Sequence, residues 1–450
     1  ATFTHMDGPE LVERVAGRKG CTMKLRVTPG NLKGSARIPG SKSNTTRAVA
    51  IATMAEGTSV IENPVPSRDC LSTCEVCRGF GAQIENLPDR WIVTGVGTPR
   101  LPSNVLDVGN SGTTLYIVTA MAALIPDGYT VITGDYQIRY RPAGPLLGSL
   151  VTLGATAFST RGNGSAPLVV RGRIKGGSTT LPGINSQWLT PLLLAGPLAD
   201  GATEVIVENL QERPYIAMTL GWLERQGIRF EMDGMRWFKV YGGQRYRPFH
   251  ETIPADWESA CFPLVAAAIT DSDVTILGMD TRDYQGDKVI IDILQEMGAE
   301  VEVRNYGLDG IRVKGGRELH GVEIDCRDIP DAPPILAVLG TQASGRTVLR
   351  NLGASRLKET DRSRVIAREL RKMGARITEE ADAIIIERSE LHGAEIFGNH
   401  DHRIIMATAV AGLVAKGETV IDTAEYYAIS FPTFYEVMTG LGHPLEKIED

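Results

Sequence analysis

Six stretches of the chain are apolar around nearly their whole helical circumference: TRAVAIATMAEG, TLYIVTAMAALIPDG, WLTPLLLAGPLADG, SACFPLVAAAITDS, PPILAVLGTQASG and IIMATAVAGLVAKG. A helix with no polar face has no side to offer water, so each is expected to be buried. After each comes a short β-like run that carries a hydroxyl residue at its start: Ser59, Thr130, Thr203, Thr275, Thr347 and Thr419. These positions recur at spacings of 71, 73, 72, 72 and 72 residues. A second, amphipathic helix in each unit ends at Gly81, Gly154, Gly227, Gly298, Gly374 or Gly442, 22 to 27 residues after the hydroxyl. Glycine accepts the left-handed backbone that closes a helix, and the alternating run beyond it predicts a new strand. The residues expected to cap the six buried helices are Ser43, Asn110, Asn185, Asp256, Asp331 and Asp401.

The unit is therefore about 72 residues of mixed strands and two helices, repeated six times, which makes the fold class α/β. Six such units exceed one core, so the economical grouping is three plus three in two domains. The boundary is expected in the Pro/Gly/polar stretch that runs from Gly242 to Pro254. A strand near 23–39 precedes the first unit, and the pattern leaves it free to pair with either half. Residues 1–23 carry no pattern and are expected to be an N-terminal extension.

Composition narrows the classes further. The 450 residues carry 47 Lys+Arg against 54 Asp+Glu, a net charge of −7, which argues against a nucleic-acid or anionic-membrane partner. No apolar run reaches the ~18 residues of a membrane span, and the opening segment lacks a secretory pattern. The expectation is a soluble, cytoplasmic protein. Six cysteines are too few for a disulfide scaffold. The spacing Cys70-x3-Cys74-x2-Cys77 has no matching Cys/His pair, so no metal is expected there and apolar packing is the reading.

If the six buried helices share one orientation, their positive N-terminal ends converge into an anion trap. The residues at those starts fit that. The first opens Pro39-Gly40-Ser41-Lys42-Ser43-Asn44-Thr45-Thr46-Arg47, and the second opens Asp107-Val108-Gly109-Asn110-Ser111-Gly112-Thr113-Thr114. Arg139-Tyr140-Arg141-Pro142 offers two forked guanidinium donors, and the third helix opens Asn185-Ser186-Gln187-Trp188. The fifth follows Ile329-Pro330-Asp331-Ala332, and the sixth follows His400-Asp401-His402-Arg403. Between them runs Arg356-Leu357-Lys358-Glu359-Thr360-Asp361-Arg362-Ser363, where Asp331 and Glu359 can serve as acid and base. Capping and solvated charge account for each segment singly. Together they gather Lys42, Arg47, Arg141, Lys358, Arg362 and Arg403 in an acidic protein, which points to small polyanionic substrates.

These motifs, in this order over residues 24–450, resemble the 5-enolpyruvylshikimate-3-phosphate synthases of the enolpyruvyl transferase family. The resemblance implies a two-domain inside-out α/β barrel of six βαβαββ repeats, three per domain. It also implies an inserted domain at 41–253, a discontinuous domain of 24–40 plus 254–450, and an active site in the cleft between them. It implies transfer of the enolpyruvyl group of phosphoenolpyruvate to the 5-hydroxyl of shikimate 3-phosphate, through a tetrahedral ketal phosphate, with no cofactor or metal. Lys42, Ser43, Arg47, Asn185, Ser186, Gln187, Tyr215, Asp331 and Lys358 would hold shikimate 3-phosphate. Lys42, Gly112, Arg141, Gln187, Arg362 and Arg403 would hold phosphoenolpyruvate. Asp331 would take the 5-hydroxyl proton and Glu359, with Lys358, would protonate the methylene; Lys42 and His402 complete the catalytic set. The chain is expected to act as a monomer. It departs from the family pattern at Tyr116 and Ile117, Asn185, Ala354 and Ile429, and Glu212 stands where a phosphate-contacting serine is usual. The alternatives are a UDP-N-acetylglucosamine enolpyruvyl transferase and a non-catalytic phosphate-ligand binding protein. Lys42 is followed by Ser43 rather than Asn, and no Cys lies between 78 and 260, which weighs against the first.

Overall fold

The computed structural model describes residues 23–442 and 445–449. Residues 1–22 of the expected extension and His443, beside the sixth glycine marker, lie outside the described residues. Met23, counted with the extension, already belongs to a strand.

The described strands form six four-stranded sheets and one two-stranded pair. The four-stranded sheets share one pairing pattern, a parallel pair followed by two antiparallel pairs. In the first, Glu56–Glu62 pairs parallel with His250–Thr252 and antiparallel with Arg90–Val96, which pairs antiparallel with Gln83–Asn86. In the last, Thr419–Ile421 pairs parallel with Glu395–Ile396 and antiparallel with Met23–Val27, whose other edge takes Leu445–Glu449. Two strands thus lie in sheets far from them in sequence. Met23–Val27 completes the last sheet, and Lys33–Arg37 joins Asp273–Leu277 in parallel. The question left open for the N-terminal strand is answered toward the C-terminal half. His250–Thr252, inside the stretch expected to be a boundary, is an edge strand of the first sheet.

The hydroxyl markers sit where strands enter the core: Ser59, Thr130, Thr203, Thr347 and Thr419 are all buried. Ser59 shows the use of the hydroxyl, since its Oγ accepts the Phe249 N–H at 3.2 Å and ties the edge strand on. The six glycine markers all have positive φ, from +68° to +104°, as a helix-closing residue requires.

The apolar helices are Lys42–Met54, Gly112–Ala122, Leu189–Ala195, Trp257–Ile269, Pro333–Thr341 and His402–Gly412. They are buried along nearly their full length, and each buried Leu, Ile or Val stabilises the fold by ~1.5–3 kcal/mol. Asp256 and Asp401 cap as expected, while Asn185 caps the short 3-10 turn Ser186–Trp188 that leads into Leu189–Ala195 and not that helix itself. Ser43, Asn110 and Asp331 do not. Ser41 caps the first helix and Ser111 the second, each accepting from the N–H three residues on, because those residues keep the extended backbone that a cap needs. The helix after Asp331 begins with Pro333 and Pro334, which have no N–H to cap, and this frees the carboxylate.

Two apolar clusters result. One takes buried residues from Ala48 to Ile253. The other takes Leu25 to Ile38 together with Ala255 to Leu445. The chain passes between them where Gly40 bridges Ala255, with the Ser41 N–H on the Pro254 carbonyl at 2.8 Å and the Asp256 N–H on the Pro39 carbonyl at 2.9 Å. No helix among the described residues is long and apolar enough to cross a membrane.

Candidate active site

The N-termini of the buried helices meet at one cavity. Its walls are Lys42, Ser43 and Arg47 of the first helix, Gly112 and Thr113 of the second, and Ser186, Gln187 and Thr190 at the third. From the other cluster come Glu258 of the fourth helix, Asp331 just ahead of the fifth, and Lys358 and Glu359 from the loop before Arg362–Lys372. Asp69, Ile117, Arg141 and Tyr215 close the ring. The sixth helix contributes from behind, through Asp401, His402 and Arg403, all of them buried.

On the first wall each cation has a distinct partner. The Lys42 ammonium donates to the Asp69 carboxylate at 3.1 Å. Burial opposes its charge, but Asp69, Glu258 and Glu359 outweigh that and raise its pKa. Arg47 meets only neutral acceptors: Thr219 Oγ1 at 2.9 Å, the Ser43 carbonyl at 2.9 Å, Thr190 Oγ1 at 3.4 Å and the Tyr215 carbonyl at 3.3 Å. Burial accordingly pulls its pKa down to about 10. The Gln187 amide donates to Thr113 Oγ1 at 2.9 Å, and Asn185 holds the Gln187 backbone N–H at 3.0 Å.

The second wall is a net of ion pairs centred on Arg362, which is fully buried. Its guanidinium donates to Asp331, to Glu359 and, at 3.0 Å, to Asp401. Arg403 pairs with Glu258. Burial penalises ionised Asp331, yet Lys358, Arg362, Arg403 and Lys42 together hold its carboxyl well below the usual range. Glu359 is held well below its usual range in the same way, by Arg141, Arg362, His402 and Lys42 against the cost of burial. His402 is pushed well down by burial, and neither ring nitrogen has a hydrogen-bond partner among the described groups.

Several contacts join the walls. Arg141 Nη2 lies 2.8 Å from Glu359 Oε1. The Tyr215 hydroxyl lies within hydrogen-bond distance of Glu258, at 2.9 Å, and of Asp331, at 3.1 Å, and its one proton is shared between them. The Lys358 ammonium donates to Glu212 at 2.7 Å and stands 3.6 Å from Asp331. The arrangement sets four cations, Lys42, Arg47, Arg141 and Lys358, against four carboxylates, Asp69, Glu258, Asp331 and Glu359, around one cavity. Glu359, Asp401 and His402 bring ligand atoms within 4.8 Å of one another, as a metal site would. Two of the three, Glu359 and Asp401, already pair with Arg362, so a divalent ion there would be set against that guanidinium.

Of the residues singled out in the sequence, Lys42, Ser43, Arg47, Gly112, Arg141, Ser186, Gln187, Tyr215, Asp331, Lys358 and Glu359 line the cavity. Asn185, Arg362, His402 and Arg403 stand one layer behind it. Arg139, the second guanidinium of its segment, turns away to the Gly134 carbonyl at 3.0 Å. Thr113, within the quoted start of the second helix, also lines the cavity, whereas Asp69, Thr190 and Glu258 were not singled out, since their types are common and nothing next to them in sequence marks them. Asp69 and Glu258 could have been sought as counter-ions to so many cations. Cys70, Cys74 and Cys77 are buried, and burial pushes each thiol up to about 12, in keeping with apolar packing.

Residues 27–438 match the family model for EPSP synthase (3-phosphoshikimate 1-carboxyvinyltransferase). The chain is 48% identical over 427 residues to a 3-phosphoshikimate 1-carboxyvinyltransferase of Ruminiclostridium cellulolyticum, covering 95% of this chain and 100% of that one. Among solved structures it is similar to an EPSP synthase of Acinetobacter baumannii, with TM-score 0.79 and 31% identity over 95% of this chain and 100% of that chain. The enolpyruvyl transferase NikO of Streptomyces tendae shares the fold at 21% identity, with TM-score 0.79 over 96% of this chain and 100% of that chain.

Proposed function

The chain belongs to the EPSP synthase family, and from that premise we propose how its own residues carry the reaction. It transfers the enolpyruvyl group of phosphoenolpyruvate to the 5-hydroxyl of shikimate 3-phosphate and releases phosphate through a tetrahedral ketal. The observation that carries the assignment of roles is the pair Asp331 and Glu359, two cavity carboxylates that share the Arg362 guanidinium and are kept ionised chiefly by Lys358 and by Arg141 respectively, with Arg362 beside both.

In this reading Asp331 is the base. Its carboxylate is ionised, and the Tyr215 hydroxyl and Lys358 fix its orientation. Glu359 is the acid, although in the described arrangement it holds no proton. It takes one from solvent as phosphoenolpyruvate binds: the substrate's phosphate and carboxylate compete for Arg141 and Arg362, which draws those cations off Glu359 and lifts its proton affinity. Protonation of the methylene develops oxocarbenium character, and the 5-hydroxyl oxygen attacks as its proton passes to Asp331. Collapse of the ketal expels phosphate toward Lys42, Arg141 and Arg403, the methyl group returns a proton to Glu359, and Asp331 gives its proton to the departing phosphate. Lys42, Ser43, Arg47, Asn185, Ser186, Gln187, Tyr215 and Lys358 position the acceptor. Gly112, Gln187, Arg362 and Arg403 position phosphoenolpyruvate. His402 is placed against Glu359, where a neutral imidazole tunes that carboxylate.

The cavity is about 30 Å³ and ion pairs such as Arg141–Glu359 span its walls, in keeping with walls that part to admit the substrates. We read the moving bodies as 41–253 and 24–40 plus 254–450, in keeping with the two apolar clusters and the paired chain crossing near 40 and 254.

The test is inorganic phosphate release from phosphoenolpyruvate, with and without shikimate 3-phosphate, beside a Lys42→Met variant. Release is expected only with both substrates, and at least ~10²-fold slower in the variant. Release without the acceptor, or none from the folded parent, overturns the assignment.

A further inference from the structure

Glu212 stands immediately before the helix Arg213–Arg225 with a left-handed backbone, φ 55° and ψ 34°, which side chains other than glycine rarely adopt. The segment is pinned there. The Glu212 N–H donates to the Arg327 carbonyl at 3.0 Å, and the next residue, Arg213, clamps Asp328 through Nε at 2.9 Å and Nη2 at 2.5 Å. The fixed backbone aims the side chain into the cleft wall, where it is 1% exposed. Both carboxylate oxygens are engaged. Oε2 accepts the Ser186 N–H and the Ser186 hydroxyl, each at 2.7 Å, and Oε1 accepts the Lys358 ammonium at 2.7 Å.

A backbone N–H, a hydroxyl and an ammonium converging on one point form an anion subsite. Ser186 and Lys358 also line the cavity. An incoming phosphate needs these donors, and it would meet a carboxylate at contact distance in a buried setting where like charges repel strongly. The serine usual at this position would leave the Lys358 charge for the phosphate; Glu212 spends it.

We propose that Glu212 is a specificity-determining residue, an internal competitor for the acceptor's phosphate whose carboxylate must leave Ser186 and Lys358 before a phosphorylated acceptor can bind. The inference rests on the acceptor assignment of Ser186 and Lys358 made above. It follows that the preference for phosphorylated over non-phosphorylated acceptor is narrower in this chain than its cation content would give.

Isothermal titration of the full chain with shikimate 3-phosphate and with shikimate, for the parent, Glu212→Ser and Glu212→Gln, tests this. Both variants should bind shikimate 3-phosphate at least ~10-fold tighter than the parent and bind shikimate within about twofold of it. Glu212→Gln keeps the shape and the Ser186 contact, so it answers the question where the serine variant does not fold. Unchanged or weaker shikimate 3-phosphate binding in a folded variant overturns the proposal. A parent that turns over both substrates while its variants show unchanged affinity retires the role of Glu212 alone. A parent that does not turn over retires the reaction, and the two affinities still judge Glu212.

Discussion

Gly112 opens its helix with its α-carbon facing Arg141, and a methyl group built there would lie 3.1 Å from Nη1 of that arginine. The guanidinium would have to give way, and it is the one that reaches across to Glu359. Gly112→Ala is therefore expected to raise the KM for phosphoenolpyruvate at least ~10-fold while binding of shikimate 3-phosphate changes less than about twofold. Steady-state kinetics with each substrate varied in turn checks this, and equal losses for both would remove Gly112 from the phosphoenolpyruvate subsite. At this scale the cations were legible because several sit at helix starts in runs of glycine and hydroxyl residues. Their neutralising partners were not. Asp69 is 27 residues from Lys42, and Glu258 is 145 from Arg403. Glu212 was visible only as a mismatch that promised repulsion, and its contact with Lys358 turned it into a partner.

The buried helices owe their placement to composition that is local and hence readable, but their caps depend on which residue keeps an extended backbone. Asp256, at the start of Trp257–Ile269, is a cap that carries a cost. Its carboxylate accepts the Ser259 N–H at 3.0 Å, while its other oxygen is buried without a partner. Burial first, and then Glu258, push its pKa up to about 7, against Arg403, Ser259 and Lys42. Because the folded value lies above the ordinary 3.8 of the unfolded chain, this group favours folding fully below about pH 4 and loses that contribution as pH rises toward 7. Asp256→Asn keeps a capping oxygen and removes the titration. Thermal denaturation is expected to show the variant gaining Tm relative to the parent between pH 5 and pH 8, by several degrees at the upper end. A difference that stays flat with pH would mean that Asp256 ionises without penalty.

Outside the cavity the two halves also touch at the Tyr136 hydroxyl, 2.8 Å from His400 Nδ1, beside the rings of Phe397 and Tyr426. Neither residue lines the cavity, so in the closing motion proposed above the contact bears on how the two bodies meet and touches no substrate directly. One such hydrogen bond is worth about 1 kcal/mol. Tyr136→Phe should raise the KM for both substrates together, by up to about fivefold, because it taxes one closing equilibrium common to both. A change confined to one substrate would place Tyr136 in a subsite instead. The repeat of about 72 residues, the burial of six helices, the glycine phase and the identity of most cavity residues were determined by the sequence itself, since helical periodicity, turn chemistry and motif order are properties of neighbours along the chain. Sheet membership of Met23–Val27 and His250–Thr252, the true caps and the ion-pair net were decided only in the tertiary structure. The physical reason is that pairing is set by distance through space: Lys358 and Glu212 are 146 residues apart in sequence and 2.7 Å apart in the fold, and no local pattern encodes that approach.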